Sequence, residues 1–337
     1  MRKKAMDSKM ETAAESPYVS TGELPSGELV HQLVAEAHER YRTNNDGTTS
    51  QVYPALQRVR GDLFGICVAG ITGNVYTAGD AEAELTIMSV AKPFLYALVC
   101  QQVGCGELRR LVGVNATGLP FNSLSAVERS RDGRTNPMVN AGAIAVTSLV
   151  PGADVAQRWQ FISEGLSRFA GRELTLDDEV YRSASSSNHR NQSLALLLES
   201  YGRLYADPAE ATDLYTRQSC LNVTARDLAV MGATLANGGV NPLTHDEVVD
   251  AETCHATLAV MTIAGLYETS GDWLYDIGLP GKSGIGGGIV TVAPGKGGLG
   301  TFAPLLDHAG NSVKGQLAAA FLSRRLGLDL LASRAAG

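Results

Sequence analysis

No uninterrupted apolar run of 18 residues occurs in the 337-residue chain, which excludes a spanning helix. Positive charge is also short: 28 Lys and Arg stand against 35 Asp and Glu, a formal charge of −7. Nucleic-acid and membrane-surface proteins usually carry a basic excess, so neither partner is expected. Cysteine is sparse and unpatterned. Cys67, Cys100, Cys105, Cys220 and Cys254 are odd in number, widely spaced and free of C-x-x-C. This predicts reduced, buried thiols in a cytoplasmic protein rather than a disulfide or zinc framework. The histidines His31, His38, His189, His245, His255 and His308 show no metal-ligand spacing, and Cys254-His255 is adjacent rather than i,i+4. No metal and no cofactor are expected. The opening MRKKAMDSKMETAAESP has a basic start without the apolar stretch of a signal peptide, and residues 1–25 read as a disordered leader. No internal repeat is visible.

What is present is a change of period along the chain. Leu29, Val30, Leu33, Val34, Ala37 and Tyr41 form a helical stripe. Residues 63–70 and 75–80 then alternate around Thr72-Gly73-Asn74, predicting a β-hairpin. A helix follows from about Ser89 to a stop at Gly104 or Gly106. Residues 107 to 265 are mostly helical, with clear segments at 148–171, 190–206 and 224–239. The last of these opens with Thr224 as N-cap and Asp227 three positions on. Alternation returns at 287–294 and 298–307, joined by Gly295-Lys296-Gly297 as a second hairpin, and an amphipathic helix closes the chain. The simplest architecture is α+β. One antiparallel sheet is built from both terminal hairpins and flanked by the terminal helices, with a helical lobe inserted. The sheet part would span about 26–105 plus 266–330 and the lobe about 106–265, within one catalytic domain from 26 to 330.

Two short motifs carry chemistry. In Ser89-Val90-Ala91-Lys92, positions i and i+3 of a helix start share a face, so a hydroxyl and an amine come within hydrogen-bond reach. A desolvated, neutral lysine can take the serine proton and create a nucleophile. Pro93 is tolerated only in a first turn, which puts Ser89 at the helix start, although a residue before proline resists the α conformation and that residue is Lys92. Taken alone, the tetrapeptide also reads as an N-cap serine followed by an exposed lysine. The second motif is Lys282-Ser283-Gly284 before a Gly-rich strand, like the distal element of penicillin-binding and β-lactamase sites. Its lysine would place positive charge near the nucleophile. Gly281-Lys282-Ser283 also imitates the end of a P-loop. That motif needs glycine at 276, where Asp276 stands, and a helix rather than a strand should follow, so nucleotide binding is rejected. The words NPMVNAGA (136–143) and His189-Arg190-Asn191 bring asparagine amides, which donate and accept, although each alone reads as a turn or cap.

With these residues in place, the chain resembles the serine-dependent glutaminases. The matching words include FGICVAGITGNVYTAGD (64–80), SVAKPF (89–94), NPMVNAGAI (136–144), LNVTARDLAVMGATLANGGVNP (221–242), GLYETSG (265–271) and GLPGKSGIGGGI (278–289). They run in family order from about residue 30 to 325. The resemblance implies a β-lactamase/transpeptidase-like fold, hydrolysis of L-glutamine to L-glutamate and ammonia, and a homodimer or homotetramer. It also implies Ser89 as nucleophile, Lys92 as its base and Tyr267 in proton transfer. Substrate contacts would come from Tyr53, Asn140, Asn191 and Tyr215, and the oxyanion hole from the N–H groups of Ser89 and Ile285. One departure stands out. The family's Ser-Glu pair, six residues before Arg-Asn, reads Ser183-Ala184 here, so Ala184 replaces a glutamate that helps hold the substrate amino group. Loss of such a charge-assisted contact costs about 1.5–3 kcal/mol, or about 10–100-fold in affinity. The alternatives left open are an amidohydrolase of the same fold with an altered substrate, a non-catalytic relative, and a peptidoglycan or β-lactam enzyme, which would need export.

Overall fold

The computed structural model describes residues 22–333. Along the chain, α1 (Gly27–Tyr41) and the single turn α2 (Pro54–Gln57) precede the hairpin β1 (Gly65–Gly70) and β2 (Val75–Gly79). A two-residue strand β3 (Leu85–Thr86) leads into α3 (Ala91–Val103) and α4 (Cys105–Val112). The central region holds α5 (Ser125–Glu128), α6 (Asn140–Thr147), α7 (Val155–Ala170), α8 (Asp178–Ser186), α9 (His189–Ser200) and α10 (Pro208–Ser219). Next come β4 (Asn222–Val223), α11 (Ala225–Ala236), α12 (Ala251–Ala264) and α13 (Ser270–Ile277). The chain ends with β5 (Gly281–Ser283), β6 (Gly288–Ala293), β7 (Gly297–Phe302) and α14 (Val313–Arg325).

The two terminal hairpins join as expected. The sheet order is β2-β1-β7-β6-β5, all antiparallel, with Cys67 opposite Gly300 at the seam between the N-terminal and C-terminal strands. In β1 the alternation is explicit. Ile66 and Val68 pack with α1 and α14 on one face, while Cys67 and Ala69 pack with Ala229, Val230 and Ala233 of α11 on the other. All six residues of β1 are therefore buried. This second cover is a correction to the reading that the terminal helices alone flank the sheet. Helix α11 comes from the middle of the chain. Its approach depends on absent side chains, because a methyl on Gly298 would collide with the Ala229 carbonyl and one on Gly300 with the Ala225 carbonyl. Thr224 and Asp227 close a capping box at its N-terminus, as their spacing predicts.

The remaining differences are local. The helix expected over 148–171 starts at Val155, capped by Asp154, because Pro151 and Gly152 interrupt the chain before it. The helix expected over 190–206 stops at Ser200, where Gly202 adopts φ +64°. The β3–β4 ladder had no signal, since two residues cannot show a period. The reduced-thiol expectation is corrected at one place: Cys100 and Cys105 form a disulfide, with Cα atoms 4.8 Å apart. Gly104, at φ +86°, reverses the chain between α3 and α4 and brings the two helix ends together. Cys67, Cys220 and Cys254 are free and buried, as expected. Most of the leader, residues 1–21, lies outside the described residues.

Candidate active site

Ser89 sits in a 3-10 turn, Met88–Val90, at the mouth of α3. Apolar contacts bury α3 from Ala91 through Cys100, so Lys92 is carried into the interior one turn below the serine. Lys92 Nζ lies 2.9 Å from Ser89 Oγ and donates to Asn140 Oδ1 at 2.7 Å. Burial brings its pKa down to about 7. The tetrapeptide is therefore not an exposed lysine beside a cap. Pro93 falls in the first turn of α3, so no helical hydrogen bond is lost, and Lys92 is helical despite preceding a proline.

Asn140, the first residue of α6, is the hub. Its Oδ1 also accepts from Tyr215 OH at 3.0 Å, and its amide donates to Asn191 Oδ1 at 3.0 Å. The chain of bonds continues from Asn191 to Asn188 at 2.6 Å and from Asn188 to Thr216 at 2.6 Å. Every asparagine in it is buried and partnered, which orients each amide unambiguously. Ser89, Asn140, Asn191, Tyr215, Tyr53 and Ile285 line one cleft.

Tyr267 comes from the other side. It is buried, donates to Ser283 O at 3.1 Å and packs on Phe121 with ring centroids 4.7 Å apart. Burial holds its phenol up near 12, and the neighbouring Ser89 hydroxyl opposes that shift. Tyr53 is likewise pushed up to about 12 by burial, and Tyr215 well above its ordinary value, so these phenols remain protonated donors at neutral pH. Lys282 of β5 is fully buried, bonded to Gly265 O at 2.8 Å and Ser283 O at 2.7 Å, with Nζ 4.2 Å from the Tyr267 ring centroid. Burial first, then repulsion by Lys92, drive its pKa well below the lysine range. Burial thus works against the positive charge expected there, while the two carbonyls and the Tyr267 ring face are partners that a charged amine also uses.

Backbone strain gathers at the same place. Met88 (φ +48°) and Tyr267 (φ +57°) are two of three non-glycine residues with positive φ among the described residues, and they flank Ser89 and begin the Tyr267 turn. Such conformations persist where the surroundings impose them, typically at functional sites. The Ile285 N–H has no hydrogen-bond acceptor among the described residues. No group of three or more His, Cys, Asp or Glu placed to hold a metal occurs among the described residues, and no described helix is long and apolar enough to cross a membrane.

A buried Ser–Lys pair tied to an asparagine hub and facing a tyrosine and a Lys-Ser-Gly strand is the setting for the comparison with known proteins. A glutaminase family model matches residues 47–331. The chain belongs to the glutaminase family. It is similar to Glutaminase 2 of Yersinia pestis, 67% identical over 316 residues that cover 94% of this chain and 93% of that one. It is also similar to a glutaminase of Mycobacterium ulcerans, 45% identical over 305 residues, 90% and 95% of the two chains. Among solved structures, the probable glutaminase YbaS superposes with a TM-score of 0.90 at 42% identity, covering 92% of this chain and all of that one. The Bacillus subtilis glutaminase YbgJ superposes at 0.80 with 27% identity, covering 90% of this chain and all of that one. It was solved as a covalent complex with 5-oxo-L-norleucine. The β-lactamase/transpeptidase-like, α+β architecture expected of the family is the one observed.

Sequence reasoning missed Thr216 and the second polar pair beneath Tyr267. Ser283 Oγ donates to Asn311 Oδ1, and the Asn311 amide donates to Thr269 Oγ1 at 2.9 Å. Asn311 falls within PLLDHAGNSVKG (304–315), a further word that matches the family, but nothing there gives it a partner. It lies 28 residues from Ser283 and reaches it only through the fold.

Proposed function

We propose that the cleft hydrolyses the side-chain amide of L-glutamine to L-glutamate and ammonia through a Ser89-linked acyl-enzyme. The observation that carries this reading is Lys92 Nζ, held 2.9 Å from Ser89 Oγ and with its charge disfavoured by burial. Neutral Lys92 takes the Ser89 proton as Oγ attacks the amide carbon. The developing oxyanion meets the N–H groups of Ser89 and Ile285. As the C–N bond breaks, the leaving nitrogen receives the proton held on Lys92, with Tyr267 as the relay, and departs as ammonia. Water then attacks the glutamyl ester, its proton passes back through Lys92, and Ser89 is regenerated with release of glutamate. In this reading Tyr53, Asn140, Asn191 and Tyr215 hold the substrate's polar end.

The covalent complex of the B. subtilis relative supports a covalent route. The direct test is ammonia release from purified protein with L-glutamine titrated into the millimolar range. Mass spectrometry after exposure to 6-diazo-5-oxo-L-norleucine completes it: one adduct per chain is expected on the Ser89 peptide and none in Ser89→Ala. Label on another residue with full turnover in that variant would remove Ser89 as nucleophile. We also propose a cytoplasmic homo-oligomer, dimer or tetramer. The exposed side chains of Tyr275, on α13, and of Leu330 and Leu331, after α14, support assembly; Leu330 N–H donates to Gly278 O, just past the end of α13, at 3.0 Å. The three buried free thiols support the compartment. The Cys100–Cys105 disulfide runs against it, and thiol titration of cytoplasmic protein, five against three reactive groups, decides between them.

A further inference from the structure

The charge and polarity of the cleft wall bear on which amides it takes. No Asp or Glu is among the described residues lining it. The carboxylates of α8 and α10 that might have served are engaged elsewhere. Asp177 accepts from Val180 N at 2.9 Å, Glu179 pairs with Arg58, and Asp213 takes the Tyr181 hydroxyl at 2.5 Å and Arg217 at 2.8 Å. Ala184 is buried and belongs to an apolar cluster with Met88, Cys220 and Ile285, against which Tyr53 and Phe121 pack. All six line the cleft. An ammonium placed against that wall loses water and gains no counter-charge. A methyl or methylene placed there loses nothing. The one exposed cation of the lining is Arg190. Its Nε donates to Asn122 O at 2.8 Å, and it makes no ion pair among the described residues, which leaves guanidinium N–H groups for an incoming carboxylate.

We infer that the cleft prefers γ-carboxamides whose α-position carries a carboxylate but no charged nitrogen, such as N-acylated glutamine and glutaramate, over free L-glutamine. Arg190 meets the substrate carboxylate, and the Ala184 wall takes the acyl or methylene group. This rests on the amide-hydrolase reading above and names its substrate class. Free L-glutamine remains a substrate, with its ammonium turned toward solvent at a cost in affinity.

The test measures kcat/KM for N-acetyl-L-glutamine, glutaramate and L-glutamine side by side on the wild-type protein. The expected result is a value for N-acetyl-L-glutamine at least as high as that for L-glutamine, and any lower value overturns the inference. Ala184→Glu should swing the ratio toward L-glutamine by about tenfold or more. Arg190→Gln, at an exposed position, should raise KM for N-acetyl-L-glutamine about tenfold with kcat held. An unchanged KM there removes Arg190 from the site. Turnover of L-glutamine alone would overturn this inference and leave the hydrolase reading standing. Ammonia from none of the three would overturn the hydrolase reading and this one with it.

Discussion

At the scale of single residues, the chemistry depends on where one lysine is put. Lys92 is an ordinary surface residue type, yet α3 carries it to 2% exposure with a serine and an asparagine as its named partners. Burial alone moves its pKa to about 7. On the proposed mechanism, in which the neutral amine is the base, kcat/KM should rise with pH through about 7 and level off above it. A profile measured from pH 5 to 9 that stays flat across neutrality would exclude Lys92 as the group that deprotonates Ser89. Ser89→Ala should reduce turnover by on the order of 10⁴-fold or more while leaving the melting temperature close to that of the parent. Ser89 borders the cleft, and the side-chain partner its hydroxyl loses is Lys92 Nζ. An unfolded variant would instead show the hydroxyl to be structural.

At the scale of elements, the site is held between two packing units. The sheet with α11 positions β5 and the Lys282 strand, while α3, α6, α9 and α10 position the Ser–Lys–Asn network. The seam between α11 and β7 works by absence: the added Cβ that would strike Ala225 and Ala229 backbone belongs to Gly300 and Gly298. Gly300→Ala should therefore destabilise by about 1–3 kcal/mol, the usual cost of overpacking. Gly271→Ala, in α13 with open space around the new methyl, should be neutral or slightly stabilising. Urea midpoints of the two variants distinguish the cases, and equal midpoints would mean that the helix can step away from the sheet. This seam was half legible. The spacing of Thr224 and Asp227 announced the start of α11, and its Gly-Gly stop announced the end. Its place on the sheet was not legible, because an alanine-rich helix from mid-chain carries no mark of which surface it will cover.

At the scale of the whole molecule, the apolar end of α13 gives the proposed assembly a handle. Tyr275, at its C-terminal end, is 90% exposed. Light scattering should give a mass of two or four chains, and Tyr275→Glu should shift it toward one. A variant that keeps the parental mass would place the contact on another face.

Local order belonged to the sequence. Hairpins at both ends, caps at Thr224 and Asp154, helix stops at glycine, and the Ser89–Lys92 spacing all follow from short-range sterics and hydrogen bonding that neighbours in the chain satisfy by themselves. Asn140, Asn191, Tyr215 and Tyr267 owed their expected roles to the family resemblance rather than to local physics. What only the tertiary structure decided is how far apart they are and how wet. Burial lowers the pKa of Lys92 to about 7 and that of Lys282 well below the ordinary lysine range. The fold brought Asn311 to Ser283 and left the cleft wall at Ala184 without a carboxylate. The chain reversal at Gly104 also paired two cysteines that spacing alone left apart. Solvation and distance across the chain are sums over many side chains, and no local stretch of sequence contains them.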